Sequence, residues 1–327
     1  MSVAPPSPKT NDSPFFIVGA SRSGTTLLRL ILAGHSRLHI PPETWFLRPL
    51  FEQLPLTGPL TPGQVSEAVK IMVEHYRWPD MEIPAEDFAR WVSALTGPRL
   101  VDIVNLVYRH HLDKAGKPRF GDKTPNYIDM VPEISEFYPD ARFIHLIRDG
   151  RDVAISHIDA DWVRYYKPHG FPWTRAIEKR REYRSSIYDS RIMDVRYEDL
   201  VSEPETTVRK ICEFLGETFE PTMLEYRSRS NLVPERERGI HRKLDEPMAR
   251  DAISVWQRKL RPWECFAIES CLYNDLLQLG YGLRFSSPGA RPLLRATGWL
   301  LRASYPIMRR GVPYLQRRGL LPKVLYL

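Results

Sequence analysis

The chain has 327 residues, of which 43% are hydrophobic and 27% are charged, which is the composition of a globular protein rather than a disordered or fibrous one. Its net charge of +7 is uneven, because residues 284–327 hold nine Lys and Arg and no Asp or Glu. The body is therefore close to neutral, which argues against a nucleic-acid partner. Cys212, Cys265 and Cys271 form no disulfide or metal-ligand pattern, and we see neither a signal peptide nor a membrane span. We expect a cytoplasmic protein.

The first predicted elements are a strand, a polar loop and a helix within FFIVGASRSGTTLLRLIL, residues 15–32. Free N–H groups at a helix start, together with the helix dipole, favour an anion. The glycine spacing resembles a nucleotide P-loop, but Thr25 replaces the expected lysine and Arg22 supplies a basic side chain within the loop. The pattern predicts a phosphate site without the lysine that grips a transferring γ-phosphate. Its predicted members are Arg22, Ser23, Gly24, Thr25 and Thr26.

The elements that follow alternate between helices and strands. Pro41–Leu47 is predicted to be a turn or extended segment, and several helices should fill residues 61–114. Further helices are predicted over 127–137, 149–158, 173–188, 205–215 and 249–279, the last broken at Pro262. Strands are predicted over 119–123, 141–147 and 192–196, and residues 231–247 should be irregular.

This alternation predicts an α/β fold, with a central parallel sheet flanked by helices. In such sheets, ligands bind where the carboxyl ends of the strands meet. We therefore expect the loops after the predicted strands to converge on one edge. Those loops follow Val18, Gly121, Ile147 and Val195.

A second phosphate site is predicted in IRDGRD, residues 147–152, and the helix after it. Arg148 leaves a buried strand, and Ser156 lies two helical turns further on, so both could meet one phosphate. The alternative is an arginine paired with Asp149 or Asp152 at the surface. Two phosphate sites, without an evident carboxylate for Mg²⁺, favour a nucleotide with separate 5′ and 3′ phosphates. The transferred group would then carry less charge than a phosphoryl group, as a sulfonyl group does.

These motifs, in this order, resemble the sulfotransferases that use 3′-phosphoadenosine 5′-phosphosulfate (PAPS), and their layout is most similar to that of tyrosylprotein and carbohydrate enzymes. FFIVGASRSGTTLLRLIL resembles their 5′-phosphosulfate loop, and RFIHLIRDGRDVAIS resembles their 3′-phosphate motif. VRYEDLVSEPETTVRKICEFLG and SVWQRKLRPWECFAIESCLYNDLLQLGYG resemble the later elements. The resemblance implies a P-loop NTPase-like sulfotransferase fold. It also implies sulfonyl transfer from PAPS to an acceptor hydroxyl, with release of adenosine 3′,5′-bisphosphate and no metal required.

The resemblance also assigns roles to individual residues. Glu43 lies where tyrosylprotein sulfotransferases place their general base, and Lys123 resembles the lysine near the bridging oxygen. Arg22 would stabilise the leaving phosphate, and Tyr197 resembles a tyrosine that contacts the nucleotide. Weaker assignments concern Lys243, in a loop that would close over the nucleotide, and Trp256. The small-molecule enzymes use a histidine instead, for which this chain offers the apparently surface-exposed His110 and His111.

The predicted organisation is a flexible segment 1–14, one sulfotransferase domain over 15–283 and a basic extension over 284–327. The expected acceptor is a glycan, a lipid-linked or a tyrosyl hydroxyl. A P-loop kinase or NTPase, and a nucleotide-binding protein of the same fold without turnover, remain alternatives. In the extension, Arg295, Arg302 and Arg309 recur every seven residues among apolar side chains. This pattern predicts peripheral membrane contact, while packing on the body and homodimer formation are alternatives.

Overall fold

One parallel sheet organises the protein. The computed structural model describes residues 13–159, 172–239 and 250–301 and the single positions 244, 248 and 303. Within these residues, five parallel strands pair in the order β2-β3-β1-β4-β5. They are β1 (Phe15–Gly19), β2 (Leu38–His39), β3 (Arg119–Lys123), β4 (Arg142–Ile147) and β5 (Ile192–Arg196). The predicted fold class is confirmed.

Helices cover the sheet on both faces. The first seven are α1 (Thr25–Leu32), α2 (Leu47–Gln53), α3 (Pro62–Val73), α4 (Ala85–Ser93), α5 (Leu100–Ala115), α6 (Val131–Phe137) and α7 (Gly150–Asp159). The next six are α8 (Pro172–Arg184), α9 (Tyr197–Ser202), α10 (Pro204–Leu215), α11 (Glu235–Arg238), α12 (Trp256–Lys259) and α13 (Pro262–Gln278). Residues 290–301 form α14.

The central strand β1 explains why both faces need a helical layer. Phe16 and Val18 point into the core cluster that contains the side chains of α4 and α5. Phe15 and Ile17 point into a second core with α1 and α10. All four side chains are fully buried. A strand buried on both faces reads as a continuous apolar run rather than an alternating one, as FFIV does.

Several predicted elements differ from the observed ones. The two-residue β2 and the helices α2 and α9 were not predicted, because each is short and directly follows a turn or a strand. The predicted helix over 249–279 is interrupted before Pro262, where α12 is the only α-helical segment among the described residues. There Ser254 has φ 55°, which interrupts a helix, and Pro262 occupies the first turn of α13, where a missing N–H costs nothing. In the segment predicted to be irregular, α11 forms one helical turn.

The described part of the basic extension packs on the body. Leu294 of α14 is fully buried, and a Cβ built on Gly298 would lie 2.1 Å from the carbonyl oxygen of Ser270 in α13. Such a close approach requires glycine. Across the described ranges, no helix is both long and apolar enough to cross a bilayer. The three cysteines are free and buried, as their spacing predicted.

Candidate active site

The loop after β1 lies where the strand order reverses, with β3 on one side of β1 and β4 on the other. Gly19 has φ 141° and Gly24 has φ 96°, and Arg22 also adopts a positive φ of 68°. No side chain caps α1 at Gly24, so the N-terminal end of its dipole faces the loop. The Ser23 hydroxyl is buried and has no hydrogen-bond partner among the described residues. These features suit an anion held by backbone and hydroxyl donors.

The second predicted phosphate motif meets this loop directly. Arg22 Nε donates to Ser156 Oγ at 3.0 Å, and Arg148 Nη1 donates to the Arg22 carbonyl oxygen at 3.3 Å. The Arg148 guanidinium also lies 4.3 Å from the centre of the Tyr197 ring. That ring packs so closely on the loop that a Cβ at Gly24 would come within 2.4 Å of it. The structure therefore brings Arg22, Gly24, Arg148, Ser156 and Tyr197 together at the carboxyl edge.

The alternative reading of Arg148 as a surface ion pair is wrong. Asp149 bonds to Arg151 instead, with Arg151 Nη2 2.7 Å from Asp149 Oδ2. Asp152 accepts from the backbone N–H of Trp256 at 2.8 Å. Arg148 Nε is buried, and no described residue accepts a hydrogen bond from it. The guanidinium thus retains capacity for an anionic ligand.

Lys123 connects the phosphate loop to the predicted base. It is 1% exposed, at the end of β3, and its Nζ lies 3.3 Å from Thr26 Oγ1. The same ammonium donates to Glu43 Oε1. The neighbouring carboxylate, Asp122, bonds elsewhere. Its carboxylate accepts from Thr44 and Tyr108, and burial raises the pKa of Asp122 to about 6.

Two residues that the sequence did not suggest hold the other carboxylate oxygen of Glu43. Trp45 Nε1 donates to Oε2 at 2.6 Å, and Arg77 Nη2 donates to it at 2.9 Å. Arg77 also bonds to Asp80 and to Glu237 of α11. Burial raises the pKa of Glu43, but the charges of Lys123 and Arg77 outweigh it and leave that pKa below its usual value. Glu43 is therefore an ionised carboxylate, held by two positive charges.

Sequence offered little signal for Arg77 or Glu237. Arg77 follows α3 and Glu237 lies 160 residues further along the chain, yet both are buried at this site. A buried arginine between acidic side chains is recognisable only from the fold. Trp45 lies two residues after Glu43, within the predicted turn or extended segment Pro41–Leu47, and the sequence assigned it no role.

The remaining predicted residues lie away from this cluster or outside the described structure. His111 is 7% exposed and stacks on His39, so the prediction that it lies on the surface is wrong. Burial lowers its pKa to about 3, which makes it a weak base, and His110 lies half-buried beside Trp91. Trp256 is buried against the Arg151 guanidinium. Lys243 falls outside the described residues.

Metal binding has no support from side-chain clustering. In the parts of the chain that the structure covers, no group of three or more His, Cys, Asp or Glu is placed to hold a metal ion. What the geometry does offer is a donor-rich anion loop, a second arginine–serine pair beside it and a lysine–carboxylate pair on the adjacent strand edge.

Comparison with known proteins identifies the family. The sequence profile of the sulfotransferase family matches residues 14–221. The chain belongs to the sulfotransferase family. The match contains every described site residue discussed so far except Glu237 and Trp256.

Relatives and solved structures agree with this assignment. The chain is 28% identical over 256 residues to a protein-tyrosine sulfotransferase of Drosophila melanogaster, covering 74% of this chain and 46% of the relative. It is 26% identical over 297 residues to protein-tyrosine sulfotransferase A of Caenorhabditis elegans, covering 86% and 69%. Thus the chain spans less than half of the fly relative.

Structural similarity supports the fold. The sulfotransferase domain of the Synechococcus PCC 7002 olefin synthase superposes with a TM-score of 0.62 at 22% identity, covering 85% of this chain and 98% of that one. The sulfotransferase domain of the curacin biosynthetic pathway gives a TM-score of 0.57 at 20% identity, covering 84% and 100%. At this identity the likeness concerns the fold alone.

Proposed function

We propose that the protein transfers the sulfonyl group of PAPS to the hydroxyl of an acceptor, with Glu43 as general base. The observation that carries this proposal is the contact chain from Ser156 through Arg22 and its loop to Thr26, Lys123 and Glu43. These contacts run along one sheet edge, which supports two anion sites beside a general base. Family membership supplies the reaction class, and the site supplies the roles.

The residues present fit a donor with two phosphate groups. The loop 20–26, with the N-terminus of α1 and the unpartnered Ser23 hydroxyl, would hold the 5′-phosphosulfate. Arg148, through its unpartnered Nε, and Ser156 would hold the 3′-phosphate. Arginine suits a phosphate because its planar donors reach two oxygens at once.

In the proposed reaction, Glu43 accepts the proton of the acceptor hydroxyl as the oxygen attacks sulfur. The bond between sulfur and the 5′-phosphate oxygen breaks in line with the attack, and adenosine 3′,5′-bisphosphate leaves. Lys123 and Arg22 stabilise the negative charge that builds on the departing phosphate. When the ammonium of Lys123 moves toward that oxygen, Glu43 loses a nearby positive charge. Its pKa then rises, which strengthens it as a base.

The acceptor that we propose is an alcohol or phenol on a glycan, a lipid or a tyrosyl side chain. The protein-tyrosine sulfotransferases among the relatives support a tyrosyl acceptor. A further relative, the omega-hydroxy-beta-dihydromenaquinone-9 sulfotransferase Stf3 of Mycobacterium bovis, is 27% identical over 266 residues and supports a lipid hydroxyl. A kinase is disfavoured because Thr25 stands where a nucleotide P-loop carries lysine.

The test is transfer from labelled PAPS to lipid, polysaccharide and protein fractions, with Glu43→Gln beside the wild type. We expect the variant to lose transfer by about 10²–10⁴-fold, the range of general base catalysis, while still binding adenosine 3′,5′-bisphosphate. The exposed Glu52→Gln on α2 is the matched control and should transfer normally. Full activity of Glu43→Gln would assign the proton transfer to another group. Binding of PAPS without transfer to any fraction would favour the non-catalytic alternative.

A further inference from the structure

The exposed apolar side chains of this protein are concentrated on one helix pair. Among described residues, seven large apolar side chains are exposed, and five of them lie on α13 and α14. Single exposed apolar residues are ordinary on protein surfaces, whereas a cluster marks an interaction site. The five are Trp263, Leu277, Leu293, Trp299 and Leu300.

One side of helix α14 packs on the body of the protein, and the opposite side is exposed. Leu294 and Gly298, four residues apart, face α13, and both are buried. Leu293 is 59% exposed, Trp299 is 70% exposed and Leu300 is 58% exposed, so the largest apolar side chains of the helix point away from the core. Burial of apolar surface on folding therefore does not include the outer side of α14, and its apolar side chains leave water only when a partner covers them.

Positive charge accompanies this apolar surface. Arg291 and Arg295 are exposed and lie four residues apart, along one edge of α14. Residues 284–327 carry nine Lys and Arg and no Asp or Glu. The acidic residue next to Trp263, Glu264, is paired with Arg261. An apolar face bordered by arginines is the pattern of a helix that lies in the interface of an anionic membrane.

We propose that α14 and the exposed edge of α13 dock this protein onto anionic lipid bilayers. Trp263, Leu293, Trp299 and Leu300 would enter the headgroup region, where tryptophan is favoured, and the arginines would pair with lipid phosphates. Charge decides between a membrane and a second copy of the chain. A symmetric dimer through this face would bring the positive charges of two basic extensions together. The phosphates of an anionic bilayer would instead neutralise the positive charge of a single extension.

The experiment is co-sedimentation of the full chain with vesicles of phosphatidylglycerol and phosphatidylcholine, compared with phosphatidylcholine alone. Binding should require phosphatidylglycerol and weaken with salt. The double variant Leu293→Glu/Trp299→Glu should reduce binding by at least about tenfold. Ile187→Glu is the matched control, because Ile187 is 82% exposed but lies outside the helix pair. Each variant's thermal unfolding is measured, since the substituted side chains are exposed and should leave it unchanged.

Insertion is separated from simple charge attraction by tryptophan quenching with brominated lipids. Trp299→Phe should remove a large part of the quenching and leave vesicle binding in place. Equal sedimentation of the double variant and the wild type would overturn the proposal. So would a dimer, detected by light scattering, that Trp299→Glu dissociates while neither protein binds vesicles. This test does not depend on sulfonyl transfer.

Discussion

Removing Arg77 should shift the pH dependence of catalysis as well as destabilise the protein. Its guanidinium lies 2.9 Å from Glu43 and 3.2 Å from Asp80, and it also bonds to Glu237. Arg77→Met would leave these buried carboxylates facing one another. Loss of one partner from a buried ion pair costs about 3–5 kcal/mol of unfolding free energy. The positive charge of Arg77 lowers the pKa of Glu43, so that pKa should rise when Arg77 is removed.

The direction of the pH effect follows from the need for ionised Glu43. In the wild type the pKa of Glu43 lies below its usual 4.5, so the acid limb of kcat/KM should also lie below that value. In Arg77→Met the limb should move to higher pH, and Arg77→Lys should restore part of the shift. The assay is transfer from labelled PAPS across pH, using the acceptor fraction that the wild type sulfonates.

Controls separate positioning from folding. Arg209→Met removes an exposed arginine from α10 whose ion-pair partner, Glu205, is exposed as well, and it should change neither quantity. If Arg77→Met does not fold, the double variant Arg77→Met/Glu237→Gln removes one of the carboxylates that have lost their partner. It should recover stability, and the acid limb of its kcat/KM profile should still lie at higher pH than in the wild type. A destabilised Arg77→Met with an unmoved acid limb would refute the reasoning and leave Arg77 a purely structural role.

Three further predictions test the site by other means. Gly24 has φ 96°, and a Cβ at this position would lie 2.4 Å from the Tyr197 ring. Gly24→Ala should therefore weaken the binding of adenosine 3′,5′-bisphosphate, measured by calorimetry, at least about tenfold. Gly58→Ala, with φ +78° but open space around it, should change stability alone, and equal affinities would refute the clash. Arg148→Ala should cost about 2–5 kcal/mol of nucleotide binding in the same titration, and unchanged affinity would remove it from the site. The pKa of Asp122 is about 6 instead of 3.8, so wild-type stability should fall by about 3 kcal/mol as pH rises through that range. In urea unfolding, Asp122→Asn should not show this loss of unfolding free energy with rising pH. If the difference in unfolding free energy between wild type and variant does not change with pH, the prediction is contradicted.

Sequence reasoning worked best where local pattern and fold agree. The apolar run FFIV predicts a strand that is buried on both faces. The order of strand, loop and helix around Arg22 predicts the position of an anion site. Parallel topology then brings Arg148 and Ser156 to the same edge. Each of these steps needs only local periodicity and one rule of sheet connection.

The surroundings of Glu43 could not be predicted in this way. Arg77 comes from the segment after α3 and Glu237 from α11, and their burial depends on how these distant parts of the chain pack. The surface position predicted for His111 is wrong for the same reason. A polar residue in a helical pattern is predicted to be exposed unless the element that packs on it is known. The second half of the 249–279 prediction held because α13 has a proline at its start. The first half failed at Ser254, whose positive φ has no sequence signature.

The central claim is that two neighbouring loops bind the two ends of one nucleotide. The most direct measurement is a crystal structure of the protein with adenosine 3′,5′-bisphosphate. We predict the 5′-phosphate in the loop 20–26, within hydrogen-bond distance of Lys123, and the 3′-phosphate on Arg148 and Ser156. A nucleotide bound elsewhere, or one with only a single phosphate held by these loops, would contradict the proposed function.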